Sequence, residues 1–91
     1  MVHVFLGLGS NVGDRARNLF SAHDHIITTK GIQPLRLSRF YETAPIGGPS
    51  QPMFLNAVLS METVLSPHQL LDRFQSIETA MGRIRSVKWG P

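Results

Sequence analysis

Residues Phe40 to Val58 read Phe-Tyr-Glu-Thr-Ala-Pro-Ile-Gly-Gly-Pro-Ser-Gln-Pro-Met-Phe-Leu-Asn-Ala-Val. A loop dense in Pro and Gly here joins two strand-like runs. Upstream, Leu35 and Leu37 alternate with Arg36 and Ser38 and lead into Phe40 and Tyr41. Downstream, Leu55, Ala57, Leu59 and Met61 alternate with Asn56, Val58, Ser60 and Glu62. A period of two marks strands. Two strands in succession, joined by a rigid and shaped loop, decide the fold once their flanks are read.

Before them, Val2, Val4, Leu6 and Leu8 alternate with His3, Phe5, Gly7 and Gly9. Apolar residues on both sides predict a central, covered strand. Asp14 is a candidate N-cap for a helix carrying Ala16, Leu19, Phe20, His23, Ile26 and Ile27, with Gly31 as a stop. After the strand pair, Ser66-Pro67-His68-Gln69 combines an N-cap serine, a proline at the first helical position and a capping-box Gln. Leu70, Leu71, Phe74, Ile77 and Met81 follow on one stripe, and Gly82 ends the helix. The order β-α-β-β-α is the split βαβ of a ferredoxin-like α+β fold with its final strand missing. Both helices are expected on one face of an antiparallel sheet, with the first strand left as an open edge.

Ninety-one residues, 42% apolar and 16% charged, describe one small domain near the lower limit of what a single core stabilises. With no cysteine, disulfides and Cys-based zinc sites are excluded, and the cytoplasm is the default compartment. Met1 leads directly into a strand-like run, so neither a secretory signal nor a membrane span is expected. The net charge of +3 is modest, though Arg83, Arg85 and Lys88 cluster near the C-terminus. That cluster fits a phosphate-bearing ligand and equally a solvated tail.

Several residue types carry possible chemistry. Asn56, among apolar neighbours, offers a donor and an acceptor to a fused heterocycle, or bonds to nearby backbone. Phe54 shares its face by alternation and can stack on a flat ring. The loop from Thr43 can present backbone groups to a ligand with little entropy to lose, or serve only as a connection. Gln75 and Glu78, three apart, are neighbours on the second helix and read as a surface pair on spacing alone. Each guanidinium of Arg83 and Arg85 can hold phosphate oxygens in a planar fork, and Trp89 can close over a flat ligand. Gly7-Leu8-Gly9-Ser10-Asn11-Val12-Gly13 lacks both the dinucleotide spacing and a Gly-Lys-Ser/Thr, and reads as a tight strand-to-helix turn. His3, His23, His25 and His68 do not cluster at ligand spacing. Glu42 and Glu62 are isolated.

Taken together, the segments 7–15, 40–58 and 82–91 resemble, in order and spacing, the 6-hydroxymethyl-7,8-dihydropterin pyrophosphokinases of folate synthesis, along the whole chain. The resemblance implies transfer of pyrophosphate from ATP to the pterin. It implies that Thr43, Pro45, Ile46, Phe54, Asn56 and Trp89 bind the pterin. Gln75, Glu78, Arg83, Arg85 and Trp89 would contact ATP, with both arginines near the reacting phosphates and the loop around them ordering over the nucleotide. Phe54 stands where the family commonly has Tyr, keeping the stacking face without the phenol. The family continues past Trp-Gly-Pro with an Arg and an Asp-x-Asp pair that holds magnesium. Residues beyond Pro91 are therefore expected, the 91 residues being the N-terminal part of a longer domain, inactive alone. The alternatives are a non-enzymatic ferredoxin-like module, such as an RNA-binding sheet, a helper subunit offering a strand edge, or an inactive pterin-binding remnant. An RNA-reading sheet would expose aromatics on its central strands, a pattern the first and third strands lack in sequence.

Overall fold

The computed structural model describes residues 1–44, 52–81 and 86–90, with backbone alone for 80, 81 and 86–90. In chain order its elements are β1 (Val2–Ser10), α1 (Arg15–Ile27), β2 (Ile32–Leu37), β3 (Tyr41–Thr43), β4 (Phe54–Thr63), α2 (Pro67–Met81) and β5 (Ser86–Gly90). β1 and β4 pair antiparallel along their length, from Val2 opposite Thr63 to Ser10 opposite Leu55. β2 joins the outer side of β4, β5 joins the outer side of β1, and β3 extends the sheet beside the first residues of β4. The α+β, ferredoxin-like arrangement expected from the sequence is thus present.

Alternation explains which face is covered. Val4, Leu6 and Leu8 of β1 and Ala57, Leu59 and Met61 of β4 are buried with Leu19, Ala22 and Ile26 of α1 and Leu70, Phe74 and Ile77 of α2. Each large side chain buried this way contributes about 1.5–3 kcal/mol. His3 and Phe5 point the other way and are exposed, their rings stacked with centroids 4.8 Å apart. Both helix starts follow their local signals. Asp14 accepts a bond from the Arg17 amide at 3.1 Å. Ser66 and Gln69 form the reciprocal box, with Gln69 N donating to Ser66 Oγ at 3.2 Å and Ser66 N to Gln69 Oε1 at 2.8 Å.

Three expectations are corrected. β1 is not covered on both faces, since Phe5 keeps 46% of its surface exposed. Nor is it an open edge, because β5 pairs with it from Gly9 opposite Ser86 to Phe5 opposite Gly90. The final strand expected to be missing is replaced at that edge by residues read in sequence as lacking strand period, and the argument for more chain from an unpaired β1 falls away. The upstream strand of the pair is two strands, β2 with an irregularity between Pro34 and Arg36, then β3. Pro34, with no N–H, is tolerated in β2 because that strand is an edge. As the alternation through Gly9 predicts, β1 runs to Ser10, and the tight strand-to-helix turn follows, with Gly13 at φ 61°.

Candidate functional site

On the sheet face away from the helices, the first residues of β4 lie between the C-terminal end of β1 and β3. Tyr41 lies opposite Asn56, Thr43 opposite Phe54, and Gly9 opposite Asn56 from the other side. The Asn56 amide nitrogen donates to Thr43 Oγ1 at 2.8 Å and to the Tyr41 carbonyl at 3.3 Å. A carbonyl only accepts, so the NH2 must face β3. That orientation leaves Oδ1 directed over Gly9, and among the described residues it has no hydrogen-bond partner.

Gly9 is the floor of this corner. A Cβ built there would lie 3.1 Å from Asn56 Oδ1 and 3.7 Å from Phe54 Cδ1. The contact with Phe54 would be an ordinary one, whereas Asn56 Oδ1 would have to give by a few tenths of an ångström to accommodate a side chain. The arrangement presents a half-buried aromatic ring beside a fixed acceptor, suited to a flat heterocycle with an edge N–H.

The back of the same corner is tied down by Arg15, whose Nη1 donates to Glu42 Oε2 at 2.7 Å and to the Met53 carbonyl at 2.9 Å. Glu42, read in sequence as isolated, is therefore paired. Asn18 steadies the turn before α1, donating to the Val12 carbonyl at 2.9 Å and to Ser10 Oγ at 3.1 Å.

The structure brings together Thr43, Phe54 and Asn56 of the expected residues. Gln75 is exposed and Glu78 half-buried on α2, and neither side chain is hydrogen-bonded or ion-paired among the described residues. Trp89 is placed by its backbone in β5, opposite Leu6. Pro45, Ile46, Arg83 and Arg85 lie outside the described residues, and of the segment 83–89 expected to order over nucleotide, residues 86–89 are described, by backbone, in β5. Ser86, which follows Arg85, is paired with Gly9 at the floor of the corner. Sequence reading missed Gly9, Arg15 and the Tyr41 carbonyl. A glycine inside an otherwise apolar strand was the available signal for the first, since such glycines mark close approach.

A concavity lies farther along the open face, lined by Phe5, Arg36, Ser38, Arg39, Val58 and Ser60. Among the described residues no three His, Cys, Asp or Glu side chains converge to hold a metal ion, and no helix is long and apolar enough to cross a membrane, which says nothing of a β-barrel.

Comparison with known proteins shows the family. Residues 5–91 match the family model for 7,8-dihydro-6-hydroxymethylpterin-pyrophosphokinase. The chain is 46% identical over 91 residues to the 2-amino-4-hydroxy-6-hydroxymethyldihydropteridine pyrophosphokinase of Methylorubrum extorquens, covering 100% of this chain and 58% of that protein. It is 41% identical to the Bacillus subtilis protein of the same name, covering 96% of this chain and 52% of that one. A folate synthesis bifunctional protein, mitochondrial, of Pisum sativum is 42% identical over 97% of this chain and 17% of its own length. The chain thus spans a little over half the length of the bacterial relatives. A solved structure, the C-terminal domain of the MgtC protein from Mycobacterium tuberculosis, shares the fold alone, with TM-score 0.64 and 10% identity over 97% of this chain and 84% of that one.

Proposed function

Because the chain belongs to the 7,8-dihydro-6-hydroxymethylpterin-pyrophosphokinase family, we propose that it forms the pterin-recognising part of an enzyme that transfers pyrophosphate from ATP to 6-hydroxymethyl-7,8-dihydropterin in folate biosynthesis. One observation carries the reading: Asn56 is held with its NH2 on β3 and its Oδ1 over Gly9, beside the ring of Phe54. The pterin lies on Phe54 and donates an edge N–H to Oδ1, while Thr43 keeps the amide from rotating. Pro45, Ile46 and Trp89 complete the pterin contacts.

In the transfer, the hydroxymethyl oxygen forms a bond to the β-phosphorus, the bond from that phosphorus to the bridging α,β oxygen breaks, AMP leaves, and the hydroxyl proton goes to solvent. Such transfers rest on alignment and charge neutralisation more than on covalent enzyme chemistry. This chain's part is to fix the acceptor and, through Arg83 and Arg85 with Gln75 and Glu78, to hold ATP. Magnesium would supply charge neutralisation at the phosphates, but the described residues do not make a site for it. Cytoplasmic reaction is part of the same proposal.

The RNA-binding alternative is less well supported. Phe5 is exposed on central β1, contrary to the sequence reading, but one face of its ring is taken by His3. Calorimetry of the natural protein with 6-hydroxymethylpterin, alone and with α,β-methylene ATP, tests the proposal. The pterin should bind more tightly with the nucleotide analogue than without it. Absence of pterin binding in both titrations would overturn the reading.

A further inference from the structure

We propose that Arg15 is a positioning residue for the pterin corner, acting from the far side of the sheet by seating β3; this rests on the pterin-binding reading above. β3 is short, exposed at each residue and, among the described residues, paired with β4 only. Such an element lies at the low end of local stability and opens independently of the core. Yet it supplies both acceptors that orient Asn56, the Tyr41 carbonyl and Thr43 Oγ1. Whatever holds β3 therefore holds the amide.

Arg15 is the described side chain that bridges both flanks of the corner. Glu42 lies between Tyr41 and Thr43, and Met53 immediately precedes Phe54. One guanidinium nitrogen reaches the carboxylate at 2.7 Å and the carbonyl at 2.9 Å, so it ties β3 and the start of β4 to α1 together. The ion pair is partly exposed, 31% for Arg15 and 49% for Glu42, and such pairs add little to global stability. Its effect is local. Opening of β3 lowers the fraction of molecules whose Asn56 is correctly turned, and apparent affinity falls by that fraction.

The test compares the natural protein with Arg15→Met, Arg15→Lys and Glu42→Gln. Amide exchange at Thr43 and Phe54 in the unliganded protein, the Kd for 6-hydroxymethylpterin, the Kd for α,β-methylene ATP and the unfolding midpoint are measured. If Arg15→Met lowers the competent fraction to about a tenth, pterin Kd rises about tenfold. Exchange at Thr43 and Phe54 should quicken by more than that factor, because it follows the ratio of open to closed β3 rather than the closed fraction. Nucleotide affinity and exchange in the middle of β1 should not change, and Arg15→Lys should recover part of the loss. Glu42→Gln, which leaves the Met53 bond in place, should give a smaller effect of the same kind and decides the matter if Arg15→Met does not fold. Unchanged exchange at Thr43 and Phe54 in folded variants overturns the proposal, as does an equal loss of pterin and nucleotide affinity. Should the natural protein bind no pterin, the functional reading fails, and the exchange data still decide whether Arg15 seats β3.

Discussion

At the scale of the residue, the corner depends on what is absent as much as on what is present. Gly9 leaves room for Asn56 Oδ1 and Phe54, and a methyl 3.1 Å from Oδ1 would push the amide out of place. Gly9→Ala is predicted to weaken pterin binding by about 1–3 kcal/mol, the scale of an overpacked contact. Calorimetry checks this, and the affinity for α,β-methylene ATP should stay the same. Asn56→Ala should weaken pterin binding by roughly 1–3 kcal/mol through the partners it leaves unpaired. Unchanged pterin affinity in that variant would remove Asn56 from the site. Asn56 and Phe54 were legible in the sequence because alternation alone puts residues two apart on one face. Thr43 was legible as part of a rigid loop stem. The Arg15 to Glu42 pair was not, since it joins residues far apart in sequence through a fold that must already exist.

At the scale of the element, local chemistry explains the helix boundaries. The Ser66 and Gln69 box satisfies amides that would otherwise lack partners at the start of α2. Ser66→Ala is predicted to cost about 1 kcal/mol of stability, measured by urea unfolding. Thr63 is a tighter case. Its buried hydroxyl donates to the Gly31 carbonyl at 2.7 Å and accepts from the Leu65 amide at 3.0 Å, joining the end of β4 to the turn before β2. Thr63→Val should cost about 1–3 kcal/mol because the Leu65 amide loses its partner, while the Gly31 carbonyl keeps only the Val64 amide at 3.2 Å; a loss of a few tenths would mean that water replaces the hydroxyl. Caps were legible because their signals lie within four residues. β3 and β5 were not, because each is made a strand by the neighbour it pairs with and neither carries a long enough run to declare a period.

At the scale of the whole molecule, a sheet covered by two helices on one face leaves the other face for ligand. Phe74 is among the largest buried side chains and belongs to the core cluster on the helix side of the sheet, away from the Asn56 corner. Phe74→Ala should cost about 3–5 kcal/mol of stability, while the folded fraction keeps its pterin affinity. The α+β class and helix placement were legible in the order of periods along the chain. Which side of β1 faces out was not, since His3 and Phe5 are both ordinary neighbours of a covered strand until the helices choose a face. The most direct test of the account is a crystal structure of the natural protein with 6-hydroxymethylpterin and α,β-methylene ATP. The heterocycle should lie against Phe54 with an N–H donated to Asn56 Oδ1 above Gly9. A pterin bound elsewhere, for instance in the groove beside Phe5 and Arg36, would contradict it.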